Sequence, residues 1–138
     1  MHEAKIKGAP QVMVWGAGAP RREFLHSDDM ADACVCLMNL PEDQFNAIAQ
    51  SEIQAPLLNV GCGADLTIAE LAETIRDVVG FKGKLIFDRS KPDGTPPKLL
   101  DVRQMSDLGW KATISLKEGF MSVCEGFGRG DAPLKSHG

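Results

Sequence analysis

Thr67-Ile68-Ala69-Glu70 is a capping box, and no other stretch constrains the fold of this chain as tightly. A hydroxyl and a carboxylate three residues apart each satisfy a backbone N–H that the first helical turn leaves without a partner. From there Ile68, Leu71, Ala72, Ile75, Val78 and Val79 recur at helical spacing, and Gly80 supplies the stop. Apolar runs at Leu57–Val60 and Leu85–Phe87 flank this helix and read as strands. A second capping box, Ser115-Leu116-Lys117-Glu118, opens a helix with Leu116, Phe120, Val123 and Phe127 on one side. A third helix starts at Ser27 or Asp28. It places Met30, Ala33, Cys34, Leu37 and Met38 on one face and ends at Pro41. Asp101-Val102-Arg103-Gln104 opens a short helix that ends before Gly109-Trp110. Helices interleaved with short strands, without internal repeats, predict a mixed α/β fold.

A further strand, Val12–Trp15, runs into Gly16-Ala17-Gly18-Ala19-Pro20, which invites comparison with a dinucleotide-binding loop. That fingerprint needs a third glycine and a helix opening directly from the loop. Here Arg21 stands at the third glycine position. An extended Arg22–His26 segment follows, and the next helix waits until Ser27. The context fails the test, so the two glycines predict a tight turn between extended segments. What the turn delivers is Arg21-Arg22, a pair suited to bidentate binding of a phosphate or diphosphate. Trp15 either offers a flat face to a nucleobase or lies in the core. His26 reads as a structural strand position, and Asp28 and Asp29 as charges favourable at a helix N-terminus.

Composition closes several routes. The net charge of −4 leaves no basic footprint for nucleic acid. No apolar run approaches the roughly 20 residues of a membrane span, and the first ten residues lack the pattern of a signal peptide. Cys34, Cys36, Cys62 and Cys124 have no metal-ligand spacing and predict free, buried thiols in a reducing cytoplasm. At 138 residues the chain has the length of one domain, expected over 1–127 with a polar, disordered tail over 128–138. It contains no tyrosine.

Taken together, "VMVWGAGAPRREFLHSDDMADACVCLMNL", "LLNVGCGADLTIAELAETIRDVVGFKGKLIFDRSKPDGTPPKLLDVRQMSDLGW" and "ISLKEGF" resemble the C-terminal half of the GDP-L-fucose synthase family. These are NADPH-dependent epimerase–reductases of the extended short-chain dehydrogenase superfamily. The resemblance implies a mixed α/β, substrate-binding part of such an enzyme, lacking most of the Rossmann domain. In the family, GDP-4-keto-6-deoxy-D-mannose is epimerised at sugar carbons 3 and 5 and then reduced at carbon 4. By that resemblance the cofactor loop, the Ser and Tyr-x-x-x-Lys groups and the epimerisation Cys and His lie upstream of Met1. The chain then holds no catalytic residue, no cofactor and no metal, and NADP belongs to the rest of the enzyme. Met1–Ala4 matches the end of a family helix, so the chain is expected to begin partway through an element.

The positions matching family substrate contacts are Trp15, Arg22, Asp93 and Lys98. Arg22 would clamp the diphosphate, Lys98 would add charge, Trp15 would pack on the nucleotide, and Asp93 would accept hydrogen bonds from a base or sugar. Asp93 also sits in a turn sequence, Lys91-Pro92-Asp93-Gly94, and Lys98 also fits a solvated surface. Ala17 and Ala19 replace small hydroxyl residues common in the family, and Pro97 replaces an Arg. The expectation is a GDP-sugar-binding fragment, weak in affinity and inactive alone. Its alternatives are a non-enzymatic domain self-associating through the helix 28–39 face, or part of another nucleotide-sugar epimerase or dehydratase.

Overall fold

The computed structural model describes residues 1–50, 57–93 and 99–129. In chain order these form α1 (His2–Ile6), β1 (Gln11–Trp15), β2 (Arg21–Glu23), α2 (Ser27–Met38), α3 (Glu42–Ala49), β3 (Asp65–Thr67), α4 (Ile68–Val79), β4 (Lys84–Asp88), α5 (Arg103–Asp107) and α6 (Leu116–Arg129). The fold class is mixed α/β, as the alternation of helical and extended patterns predicts. The chain divides into two compact units. One comprises Met1–Arg21, Leu66–Pro96 and Ser115–Gly138; the other comprises Arg22–Asp65 and Pro97–Ile114. β2 and β3 form a two-stranded sheet.

In the first unit β1 and β4 run parallel, with Val12 opposite Leu85, Met13 opposite Ile86, Val14 opposite Phe87 and Trp15 opposite Asp88. Val12 and Val14 are half-buried, while Met13 and Trp15 are exposed, the alternation that a strand with one covered face must show. The crossover helix α4 packs against α6. Both ends of α4 are satisfied as its sequence predicts. Thr67 Oγ1 accepts the Glu70 N–H at 3.1 Å, and Glu70 Oε2 accepts the Thr67 N–H at 2.7 Å. Gly80 closes the helix at φ 70°, and the Lys5 ammonium donates to the Val79 carbonyl at 2.7 Å. The Ser115–Glu118 box opens α6 in the same way, with the Glu118 N–H donating to Ser115 Oγ at 3.3 Å.

The second unit closes around Ala33, Met105 and Trp110, with Leu25, Leu37, Leu58 and Val60 packed against them. Asp29, only 3% exposed, draws the chain onto α2: it accepts the Thr113 N–H (3.1 Å), the Thr113 hydroxyl (3.0 Å) and the Ile114 N–H (3.0 Å). One turn further on, Asp32 accepts the Trp110 indole N–H at 2.8 Å. Asp29 is therefore a buried tether rather than a surface charge at a helix end. His26 is the N-cap of α2, its Nδ1 accepting the Asp28 N–H at 3.2 Å.

Several expectations are corrected. Leu57–Val60 is not a strand; Leu58 and Val60 reach the core from a segment with no ladder partner among the described residues. The extended stretch expected over Arg22–His26 is a strand only over Arg21–Glu23, because His26 already caps α2. On α2 the packed side is Asp29, Ala33, Cys36 and Leu37, whereas Met30, Cys34 and Met38 point to solvent. The cysteines are free, but Cys34 and Cys62 are exposed rather than buried. α6 continues to Arg129, one residue beyond the Gly128 at which the tail was expected to start; residues 130–138 lie outside the described set. No described helix is long and apolar enough to cross a membrane.

Candidate functional site

The glycine loop turns as its sequence predicts. Gly16 and Gly18 take φ values of 87° and 76°, which glycine adopts without the clash a Cβ would bring. The loop then turns its carbonyls, not its N–H groups, toward α4. Gly18 O accepts the Ala69 N–H and Pro20 O accepts the Ile68 N–H, each at 2.9 Å. The first two N–H groups of α4 are thereby paired within the protein.

Beyond the carboxyl ends of parallel strands lies the usual ligand crevice of an α/β sheet. Here that end carries Trp15 and Asp88, in register with each other. The Gly16 N–H donates to the Asp88 carbonyl at 2.9 Å, joining the segments that leave β1 and β4. Asp88 Oδ1 in turn accepts the Ser90 N–H (3.0 Å) and hydroxyl (2.6 Å), curling the chain after β4 into an Asx turn. That turn delivers Asp93 to the glycine loop, where Asp93 Oδ1 accepts the Ala17 N–H at 2.5 Å. A side chain at Gly16 would collide with Asp93, so the close approach requires glycine there.

Trp15 is 72% exposed. Of its two readings the core placement is excluded, and the indole offers its face outward. The Lys91 ammonium stands 5.7 Å from the ring centroid, within the range of a cation–π contact. Asp93 is both a loop tether and an exposed carboxylate, and a carboxylate has acceptor capacity beyond one bond. The first unit thus brings together Trp15, Asp93 and Lys91.

Arg22 belongs to the second unit, half-buried on β2 and engaged by other groups of the protein. Arg21, its alternating neighbour, lies in the first unit with Nη1 4.0 Å from Glu70 Oε2. Lys98 lies outside the described residues. The segment just after it is pinned within the second unit by Glu23, whose Oε2 accepts the Leu100 N–H (2.9 Å) and whose Oε1 accepts the Gly63 N–H (2.7 Å). Among the described residues no cluster of His, Cys, Asp and Glu could hold a metal ion. Lys91 is the residue sequence reasoning missed: it lies 76 positions from Trp15, and no spacing rule links them.

Comparison with known proteins gives matches over most of the chain. The family model described as "NAD dependent epimerase/dehydratase family" matches residues 1–49. Over 126 residues the chain is 50% identical to the GDP-L-fucose synthase of Escherichia coli, covering 91% of this chain and 39% of that protein. It is 49% identical over 118 residues to GDP-L-fucose synthase 1 of Arabidopsis thaliana, covering 86% of this chain and 33% of the relative. Among solved structures, a GDP-6-OMe-4-keto-L-xylo-heptose reductase from C. jejuni superposes with a TM-score of 0.78 at 37% identity, over 87% of this chain and 34% of that one. The chain therefore spans little more than a third of the length of the curated relatives it matches. Within that span, the chain matches the NAD dependent epimerase/dehydratase family model over its first 49 residues and is similar to the GDP-L-fucose synthases.

Proposed function

We propose that this chain is the nucleotide-sugar-binding portion of a GDP-L-fucose synthase-type epimerase–reductase, and that it grips a GDP-sugar without performing the chemistry. The observation that carries this reading is the exposed Trp15 indole beside the Asp93-tethered loop, at the carboxyl end of the β1–β4 pair. An exposed indole on a rigid strand suits a nucleobase, and the neighbouring carboxylate suits base or sugar donors. Arg22 carries the diphosphate clamp that the family resemblance implies, its planar fork matching two phosphate oxygens. Asp29 and Asp32 are consumed by structural bonds and take no part.

The reaction divides by residue type. Reduction of a ketone in this superfamily needs a tyrosine to supply the proton, and this chain has none. The glycine loop that resembles a cofactor cradle caps α4 instead. By itself the chain is therefore expected neither to hold NADPH tightly nor to turn over a keto-sugar nucleotide. Calorimetric titration with GDP tests the reading: binding in the micromolar to millimolar range, about −4 to −8 kcal/mol, is expected. A second reading, self-association through α2, is favoured by one observation, the outward stripe of Met30, Cys34 and Met38.

A further inference from the structure

We infer that Lys91 makes the Trp15 platform selective for phosphate-bearing nucleotides over the corresponding nucleosides. The inference rests on the nucleotide-binding reading and adds a residue that the family contacts did not supply.

The geometry is local to one unit. Lys91 follows the Asx turn at Asp88–Ser90, and its backbone N–H donates to the Asp88 carbonyl at 3.2 Å. This fixes the root of its side chain beside the end of β4, next to Trp15 in register. From there the ammonium reaches over the indole, 5.7 Å from the centroid. A stacked base lies about 3.5 Å above an aromatic ring, the range of optimal carbon–carbon contact. A base stacking on the face that Lys91 covers competes with the ammonium for that space, so Lys91 leaves as the base arrives there.

Where it goes decides which ligands bind. Lys91 and Trp15 are both exposed, so this cation–π contact is of the weak, solvated kind. A phosphate offers the ammonium a full opposite charge and charge-assisted hydrogen bonds, which are stronger than its contact with the ring. The flexible lysine stem lets the ammonium turn from the ring to a phosphate while its backbone stays fixed. A nucleoside diphosphate thus compensates the displaced lysine, and a nucleoside does not. Arg89, exposed on the same turn, carries the same charge and has no ring contact with Trp15, which makes it the control.

The test titrates the full chain with GDP and with guanosine, following the two indole N–H signals by NMR. Trp15 reports on the site, and Trp110, 6% exposed and bonded to Asp32, reports that the fold is intact. Wild-type protein is expected to bind GDP at least about tenfold more tightly than guanosine. Lys91→Met should weaken GDP by about tenfold and leave guanosine as tight or tighter, so that the gap narrows by about that factor and the part supplied by Arg22 remains. Lys91→Arg should keep most of the gap, and Arg89→Met should keep nearly all of it. An unchanged GDP-to-guanosine ratio in Lys91→Met, or an equal loss in Arg89→Met, overturns the inference while the nucleotide reading stands. Wild-type protein that binds neither ligand overturns the reading beneath it.

Discussion

Asp93 Oδ1 accepts the backbone N–H of Ala17 at 2.5 Å, joining the turn after β4 to the glycine loop after β1. One carboxylate thereby holds the loop that begins at Trp15. Asp93→Ala should cost about 0.5–1.5 kcal/mol of stability, the net value of one hydrogen bond at an exposed site. It should also weaken GDP binding several-fold, and Asp93→Asn, which retains an acceptor, should lose less of both. Urea unfolding and calorimetry on the two variants check this. Equal loss in both would mean that charge, not the tether, is what matters.

Gly18 has a stricter role than Gly16's neighbour Ala17. Its φ is 76°, and a Cβ there would stand 2.6 Å from the Phe87 ring. Gly18→Ala therefore carries a left-handed backbone penalty of about 1–2 kcal/mol together with a steric clash against β4. The expected result is a lowered urea midpoint by more than the backbone penalty alone. A midpoint within error of wild type would show that the loop does not bear on α4 and β4 as described.

Acid should loosen the second unit. Burial pushes the Asp29 carboxyl up, but the bonds from Thr113 and Ile114 outweigh it and hold the group below the ordinary carboxylate range. Hydrogen bonds from Arg103 pull Asp101 down to about 2. A carboxylate whose folded value is depressed stabilises the protein above its unfolded value, near pH 4, and that stability is lost as pH falls through the folded value. Stability should thus be flat above about pH 5 and decline below about pH 4. Asp29→Asn should flatten part of that decline and Asp29→Ala should cost about 3 kcal/mol at neutral pH, since buried N–H donors lose their acceptor. Denaturation midpoints across pH 2–7 would show it.

How much of this was legible in the sequence depended on whether the signal was local. The ends of α4 were readable because a capping box and a stop glycine act within one turn. α3 escaped because Pro41 reads as the end of α2, yet it is also the N-cap of the next helix. β3 escaped because its three residues, Asp65–Thr67, merge into the capping box. The site divides the same way. Trp15 was identifiable as a residue type, but only its 72% exposure distinguishes a platform from a core side chain. Lys91 gave no signal at all, since turn chemistry explains its tetrapeptide completely.

The outward stripe of α2 predicts association. Met38 is 75% exposed, Met30 is 42% exposed, and Cys34 lies between them on the same helical face. A contiguous apolar face of this kind commonly marks an interaction surface. Sedimentation is expected to show a concentration-dependent dimer that Met38→Glu weakens. A strictly monomeric protein at high concentration would leave this face without a role in self-association.

The central claim is that the chain grips the nucleotide, and GDP titration by calorimetry tests it most directly. The account predicts binding in the micromolar to millimolar range, weakened by salt because the diphosphate contacts are exposed to screening. Arg22→Ala should lower the affinity about tenfold or more, the worth of one charge-assisted clamp, whereas Arg21→Ala should change it little, because alternation along β2 sends Arg21 toward Glu70. Absence of binding at millimolar GDP, in protein whose Trp110 signal shows the fold intact, would contradict the account, as would equal losses from the two arginine substitutions.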